Sequence, residues 1–354
     1  MTAPYIIHDL ILATRLTRPT GVERVALNTF EASAARNPNV VALVSDPARV
    51  PAGLSTVPVG HYLTGWATAH WRIPSDIRDT SVMICGCAPA SPSMRLNAIP
   101  IARIIADDFP WKRADQMSLK GRLLYRDCEN AMLDRYDLIF TISEIAQAEL
   151  RATLGRDVGF AGCATGIDPA ANEERPDGIG GKPILLLVGT VEPRKNYAAL
   201  ARIVTPQLLE GWQVVVAGRP GWKGADAELQ AIPGLTWLRE ASDANLRWLY
   251  RHAHTLLTLS HAEGFNMPLV EAGSYGLGIV CSDLPIHRSV APSWADFVAP
   301  DADGATVRVL LDTDRARPDP DDVQHYARKY SWAAVCENIE APLLTRLAGR
   351  ASRR

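Results

Sequence analysis

The sequence predicts an α/β protein of two doubly wound domains, on three observations. Short runs of four to six residues are wholly or mostly apolar, as strands covered on both faces usually are. Stretches with apolar residues at helical spacing alternate with these runs. A segment rich in Pro, Gly, Asn, Asp and Glu, Asp168 to Lys182, has no apolar period and divides the alternation into two blocks.

In the first block, Tyr5 to Leu10 reads as a strand. Thr20-Gly21 then opens a helix with Val22, Val25, Ala26, Thr29 and Phe30 on one face. Val40 to Val44, Val82 to Cys85, Ile101 to Ala106 and Leu138 to Ile142 are further strands, with helical stretches at Lys120–Arg135 and Glu144–Leu154. The second block opens on Ile184 to Val188 and continues with Val214 to Ala217, Leu235 to Leu238, Leu256 to Leu259 and Gly278 to Cys281. Between these, Tyr197, Leu200, Ala201 and Val204 share a helical face, and so do Leu246, Leu249 and Tyr250 after the start signal Ser242-Asp243. The expected division is a first domain over 1–172, a second over 173–332, and a C-terminal helix over 333–354 that packs back on the first.

Composition narrows the function. The chain has 354 residues, 47% of them hydrophobic and 21% charged, enough to fill two cores. A net charge of −2, with no basic stripe interleaved with aromatics, argues against nucleic acid as a partner. No apolar run approaches the ~18 residues of a spanning helix. The N-terminus lacks the basic start and apolar core of a signal peptide, so a cytoplasmic protein is expected. The six cysteines form no C-x-x-C pair and read as buried reduced thiols. His252 and His254 have no carboxylate or Cys at metal-ligand spacing, and no metal site is expected.

In open α/β sheets, ligands bind beyond the carboxyl ends of the strands. Two segments stand there. Gly189-Thr190-Val191-Glu192-Pro193-Arg194-Lys195-Asn196 follows the strand ending at Val188. Its Arg and Lys suit a diphosphate, by bidentate grip and compact charge respectively, although a solvated basic loop reads equally well from this segment alone. Glu263-Gly264-Phe265-Asn266-Met267-Pro268-Leu269-Val270-Glu271 follows the strand ending at Leu259. Pro268 suits the first helical position, and the N–H groups just before it would face an anion or a sugar hydroxyl. Gly264 lets backbone approach a ligand. Glu271, placed in the first turn, has a plain reading as a helix-dipole partner; Glu263 does not.

The spacing E-x7-E around E-G-F-x-x-P resembles glycosyltransferase family 4 and its GT-B relatives. Val188-Gly189-Thr190 through Asn196 is similar to that family's donor-phosphate loop, and Val216-Ala217-Gly218-Arg219-Pro220-Gly221-Trp222 to its next strand and glycine loop. Ser282-Asp283-Leu284-Pro285, Tyr330-Ser331-Trp332, Pro19-Thr20-Gly21-Val22-Glu23-Arg24-Val25, Ser143-Glu144 and Gly166-Ile167-Asp168 also resemble family landmarks, in the family's order. The resemblance implies a GT-B fold, two Rossmann-like domains facing each other across a cleft, and a retaining transfer of a hexose from a nucleotide-sugar donor. It implies diphosphate binding by Arg194 and Lys195, support of the cationic transition state by Glu263, and ribose binding by Glu271. Backbone groups of Phe265, Asn266 and Met267 would contact sugar or phosphate, Gly21 would let a turn approach the diphosphate, and Arg239 and Glu240 would lie near the base. No cofactor and no metal are implied, since Arg and Lys can neutralise the leaving diphosphate. GDP-mannose is the favoured donor, with UDP- or dTDP-hexoses next.

Three departures from the family pattern stand out. Asn266 occupies a position where Gly is common, Ser289 replaces a frequent Glu, and Ala106 stands where a His precedes Asp107 in many members. Asp107 is then the first-domain candidate for the catalytic cleft, with a turn-capping role as its alternative. An epimerase or phosphorylase of the same fold, or a non-catalytic nucleotide-binding protein, are the competing functions. The expected acceptor is a saccharide or a lipid-linked saccharide of bacterial surface polysaccharide synthesis. The basic stretch Trp111-Lys112-Arg113 through Lys120, Arg122 and Arg126, and the segment holding His61, Trp66, His70 and Trp71, offer peripheral contact at the inner face of a membrane, or else a solvated helix face.

Overall fold

The computed structural model describes residues 3–16, 19, 21–167, 169–221, 225–313 and 317–351. Thr20, Asp168, Trp222 and the tail Ser352-Arg353-Arg354 lie outside the described residues. The chain divides into two compact units, residues 1–164 with 331–354, and residues 165–330.

The first unit is built on a seven-stranded sheet in the order β3-β2-β1-β4-β5-β6-β7. Its strands are β1 Tyr5–Asp9, β2 Val40–Val44, β3 Thr56–Pro58, β4 Ser81–Cys85, β5 Ile101–Ile104, β6 Leu138–Thr141 and β7 Gly159–Phe160, and every pairing is parallel. Every residue of β2, β4 and β5 is buried, which is why β2 reads as an unbroken apolar run, and β4 and β5 as runs interrupted only by Ser81 and Arg103. Helix α1, Gly21–Arg36, links β1 to β2 and buries Val25, Ala26, Thr29 and Phe30. Val22, expected on the same face, is 38% exposed. Helix α2, Glu144–Leu154, starts where Ser143 accepts from Ala146 N–H and stops at Gly155 in the left-handed region, φ 61°.

The helix expected over Lys120–Arg135 is broken. A π-helical stretch, Leu123–Cys128, separates the turns Leu119–Arg122 and Glu129–Met132, and a 3₁₀ turn ends it at Arg135. Glu129 lies directly after the widened stretch, buried, with its carboxylate 2.7 Å from the Arg103 guanidinium on β5.

The second unit holds a six-stranded, all-parallel sheet in the order β10-β9-β8-β11-β12-β13. The strands are β8 Ile184–Val188, β9 Gln213–Ala217, β10 Thr236–Leu238, β11 Thr255–Thr258, β12 Gly278–Ser282 and β13 Ala295–Val298. The helices that matter for the site are α3 Asp243–His252, α4 Met267–Ser274, α5 Pro285–Val290 and α6 Pro320–Arg328. Ser242 and Asn245 form a reciprocal capping box at the start of α3, confirming the Ser242-Asp243 start signal. The stretch after Asn196 opens as a 3₁₀ turn, Tyr197–Ala199, before Leu200–Ile203. Three residues per turn shift the phase, so Ala199 and Ile203 are buried with Tyr197, Leu200 and Val204, while Ala201 is exposed.

The chain then returns to the first unit as α7, Trp332–Ala351. Ser33 Oγ of α1 donates to Glu340 Oε1 at 2.5 Å, and Cys336 Sγ lies 3.2 Å from Thr29 O. All six cysteines are free thiols and five are buried. Among the described residues, no helix is long and apolar enough to cross a membrane.

Candidate active site

Strand order in the second unit reverses between β8 and β11, the kind of switch point at which open α/β sheets bind ligands, in the crevice beyond the carboxyl ends of the strands. Both sequence-predicted segments sit on the loops leaving these two strands, and the structure brings their charges together. Lys195 Nζ lies 2.5 Å from Glu263 Oε1, and Arg194 NH1 lies 3.2 Å from Glu263 Oε2. Arg194 Nε also pairs with Glu192. Ser260 Oγ donates to Glu263 Oε1 at 2.6 Å, and His261 N–H donates to Arg194 O at 2.8 Å, so the two loops are stitched by backbone as well as side chains. Burial alone would raise the Glu263 carboxyl. The charges of Lys195 and Arg194, with hydrogen bonds from Lys195 and Ser260, overcome it and hold the group at about 2. Glu263 is therefore an ionised carboxylate in a dry setting at neutral pH.

Local backbone explains the placement. Asn196 takes the left-handed conformation, φ 55°, and its Nδ2 donates to Leu259 O at 3.0 Å and Pro300 O at 2.8 Å, which turns the Arg194-Lys195 pair towards the β11 loop. A Cβ added at Gly218 would fall 1.9 Å from Gly189 O, so the loops after β8 and β9 touch backbone to backbone, a spacing only glycine permits.

Helix α4 begins one residue earlier than Pro268 suggested, at Met267. Its N-cap, Asn266, is left-handed at φ 69°, ψ 65°, and makes no side-chain cap. Among the described residues, no protein group accepts from the backbone N–H of Phe265, Asn266 or Met267. Unpaired N–H groups at a helix start, next to a left-handed residue, form an anion- or hydroxyl-binding concavity. The Phe265 side chain is buried and packs edge-on to Tyr330 at 5.8 Å, so only its backbone is available to a ligand.

Glu271 does not lie in the first turn as expected; no acidic residue does. It sits just past that turn, buried, and accepts from Gly166 N–H at 2.8 Å and from Tyr250 OH at 2.6 Å. Its plain reading as a dipole partner therefore fails, because that effect fades beyond the first turn. Arg239 and Glu240 line a separate cavity of about 410 Å³ with Arg175, Asp177, Trp237 and Asn245. The Arg239 guanidinium stacks over the Trp237 ring at 4.2 Å. In the first unit, Gly21 is the exposed first residue of α1. Asp107 accepts from Phe109 N–H at 3.2 Å, the turn-capping role named as its alternative.

Four residues at the crevice escaped the sequence reading. Ser260 stands three positions before Glu263, a spacing that could have flagged it. Glu192, the partner of Arg194, lay inside the quoted loop without a role. Tyr250 and His287 gave no local signal, since they meet Glu271 and Asn266 from 21 residues away in each case.

The second unit has recognisable relatives. Residues 171–329 match the family glycosyl transferases group 1. The serotype-specific mannosyltransferase WbdA of Escherichia coli is 26% identical over 199 residues, 52% of this chain and 24% of WbdA. The O-antigen chain mannosyltransferase B of Escherichia coli is 33% identical over 108 residues, 28% of each chain. The chain thus spans about a quarter of the length of these curated relatives. Solved structures match over nearly the whole chain. Sucrose-phosphate synthase from Thermosynechococcus elongatus has TM-score 0.70 at 16% identity, covering 98% of this chain and 100% of that one. WaaG, a glycosyltransferase involved in lipopolysaccharide biosynthesis, has TM-score 0.64 at 16% identity, covering 94% and 97%. The fold is the two-Rossmann-unit α/β fold of these glycosyltransferase structures, as the sequence predicted.

Proposed function

We propose that the chain is a retaining hexosyltransferase of the family 4 kind. It moves a hexose, mannose first, from a nucleoside-diphosphate sugar to a hydroxyl of a glycan or lipid-linked saccharide in bacterial surface polysaccharide synthesis. The observation that carries this reading is the ionised, buried Glu263, locked to Arg194 and Lys195 beside three unpaired backbone N–H groups. The mannosyltransferase names of the sequence relatives favour mannose, and GDP-mannose is the donor we place ahead of UDP- or dTDP-hexoses.

In this reading the bond between the anomeric carbon and the diphosphate oxygen breaks, and the acceptor oxygen bonds to the same face of that carbon. The acceptor's proton leaves with the diphosphate. Arg194 and Lys195 neutralise the departing charge, so no metal is required. The Glu263 carboxylate holds sugar hydroxyls and offsets the positive charge that builds on the ring. Glu271 takes ribose hydroxyls, and Arg239 and Glu240 face the base.

Leu119 and Leu123 are 80% and 58% exposed beside Lys120 and Arg122, which supports peripheral contact with an anionic membrane. Sedimentation with phosphatidylglycerol liposomes should exceed that with neutral liposomes; equal recovery would remove this part of the proposal. The central test is a thermal-shift screen of GDP, UDP, dTDP and ADP, followed by Glu263→Gln with the sugar of the stabilising nucleotide. One base should raise the melting temperature by mass action. The substituted protein should bind that nucleotide yet transfer no sugar, and the wild-type product should keep the donor's anomeric configuration by NMR. Unchanged turnover in Glu263→Gln would overturn the proposal.

A further inference from the structure

The side chain of Asn266 is held in an unusual way. Its Nδ2 donates to Thr258 Oγ1 at 3.2 Å and approaches His287 Nε2 at 2.9 Å. The other ring nitrogen, Nδ1 of His287, lies 2.7 Å from Ser282 O. A carbonyl can only accept, so Nδ1 carries the proton and Nε2 offers a lone pair. That lone pair in turn requires Asn266 to present its NH₂ group, which settles the amide orientation. His287 is fully buried, and burial pulls its pKa down; Lys195 also opposes protonation, while Glu263 and the Ser282 carbonyl favour it. The neutral imidazole is the form this site stabilises.

This orientation carries a cost. Asn266 Oδ1 is buried and accepts from no protein donor among the described residues. The backbone of Asn266 is left-handed, a conformation that non-glycine residues seldom adopt. A bare buried acceptor and a strained backbone at one residue persist only where the surroundings over-determine them. Here the tethers are Thr258 at the end of β11 and His287 on α5. The same tethers lead on to the carboxylate. Thr258 Oγ1 lies 3.5 Å from Ser260 Oγ, which donates to Glu263, and Ser282 Oγ donates to Ser260 O at 2.7 Å.

We infer that His287 and the Asn266 side chain form a positioning pair that fixes the left-handed turn and so presents the N–H groups of Phe265, Asn266 and Met267 to a nucleoside-diphosphate sugar. The inference rests on the nucleotide-sugar reading of this site. Glycine adopts left-handed backbone freely and needs no tether. Asparagine reaches it more readily than most other residues but less freely than glycine, and here His287 supplies the acceptor that holds it there. His287 is thus a positioning residue, acting on the ligand through Asn266.

The test is a titration calorimetry cycle with whichever of GDP-mannose, UDP-glucose and dTDP-glucose binds the wild-type protein best. His287→Phe removes the acceptor at similar shape and should weaken binding at least about tenfold. His287→Gln keeps an acceptor oxygen and should stay within about threefold of wild type. In an Asn266→Gly background, which keeps the N–H group and has no side chain to tether, His287→Phe should weaken binding no further, so the double variant should bind better than His287→Phe alone. A histidine ¹⁵N spectrum of the wild type should show His287 neutral and protonated on Nδ1 at pH 7. Binding by His287→Phe equal to wild type overturns the inference alone, as does a double variant no better than His287→Phe. Should His287→Phe fail to fold, a His287→Gln variant weakened tenfold or more, or an Nε2-protonated tautomer, overturns it. Wild-type protein that binds none of the three ligands overturns the nucleotide-sugar reading and this inference with it.

Discussion

Lys195 Nζ and Glu263 Oε1 lie 2.5 Å apart although 68 residues separate them in sequence. Both side chains are nearly buried, at 11% and 3% exposure. The pair closes the crevice between the β8 and β11 loops, and Arg194 and Glu192 extend it into a cluster of two cations and two anions. In the proposed function, a donor diphosphate would compete with Glu263 for the same two cations.

Removing Lys195 strands a buried carboxylate. Lys195→Met should cost about 3 kcal/mol in urea unfolding, the lower end of what breaking a buried pair costs, since Arg194 still contacts Glu263. Adding Glu263→Gln to Lys195→Met should recover most of that loss. Additive costs in the double variant would show that the pair is not coupled.

The depressed Glu263 pKa makes stability fall with acid. The folded value is about 2 against an ordinary 4.5. The contribution is therefore fully present above pH 4.5 and is lost as pH falls from there towards 2. Its size is on the order of 3 kcal/mol, from a shift of that width. Urea midpoints of wild type and Glu263→Gln should converge across that window; a constant gap would count against the ionised, paired carboxylate.

Asp9 behaves oppositely. Burial pushes its carboxyl up to about 6 from 3.8, with Ile11 N–H and the Arg103 charge pulling only partly back. The folded state favours the protonated form, so Asp9's own contribution is fully present below pH 3.8 and is lost as pH rises through 6. Asp9→Asn keeps an acceptor for Ile11 N–H, which lies 3.1 Å from Oδ1, and should raise the melting temperature at pH 8 more than at pH 5. An equal or smaller gain at pH 8 would contradict the raised pKa.

Tyr250→Phe removes the phenolic donor from Glu271 while keeping the ring, whose stacking on Tyr275 has a centroid distance of 5.6 Å. A hydrogen bond to a charged group is worth roughly 1.5–3 kcal/mol, and the unfolding free energy should drop by about that amount. If Glu271 receives ribose, nucleotide affinity should fall as well, read by calorimetry against the deoxyribonucleotide as control. A stability loss with unaltered nucleotide affinity would separate Glu271 from the ligand.

Gly218→Ala places a methyl group inside contact distance of Gly189 O. Overpacking of this kind costs about 1–3 kcal/mol, and here the neighbour, Gly189, is backbone and cannot swing aside. A melting temperature equal to wild type would mean that the two loops do not touch at this position.

The central strands were legible because parallel sheets bury both faces, leaving apolar runs such as Ile184–Val188 that nothing else explains. The short edge strands Thr56–Pro58, Gly159–Phe160 and Ala295–Val298 carry no such run and were invisible. At the site, Arg194, Lys195 and Glu263 were found because each follows a strand directly. The Asn266–His287 contact was not, since no periodicity links a helix start to a histidine on the next helix. Glu271 was misplaced by one position, just past the first turn, because Pro268 marked the helix start only to within a residue.

The return of α7 to the first unit has a consequence for how the chain assembles. The inner face of α1 meets β2 early, but Ser33 and Thr29 find their partners Glu340 and Cys336 only after the whole second unit has been made. The second unit is contiguous from Thr165 to Tyr330 and can close as soon as it leaves the ribosome. The unit that is synthesised first is therefore completed last, and for the length of one domain's synthesis it waits with part of a helix uncovered.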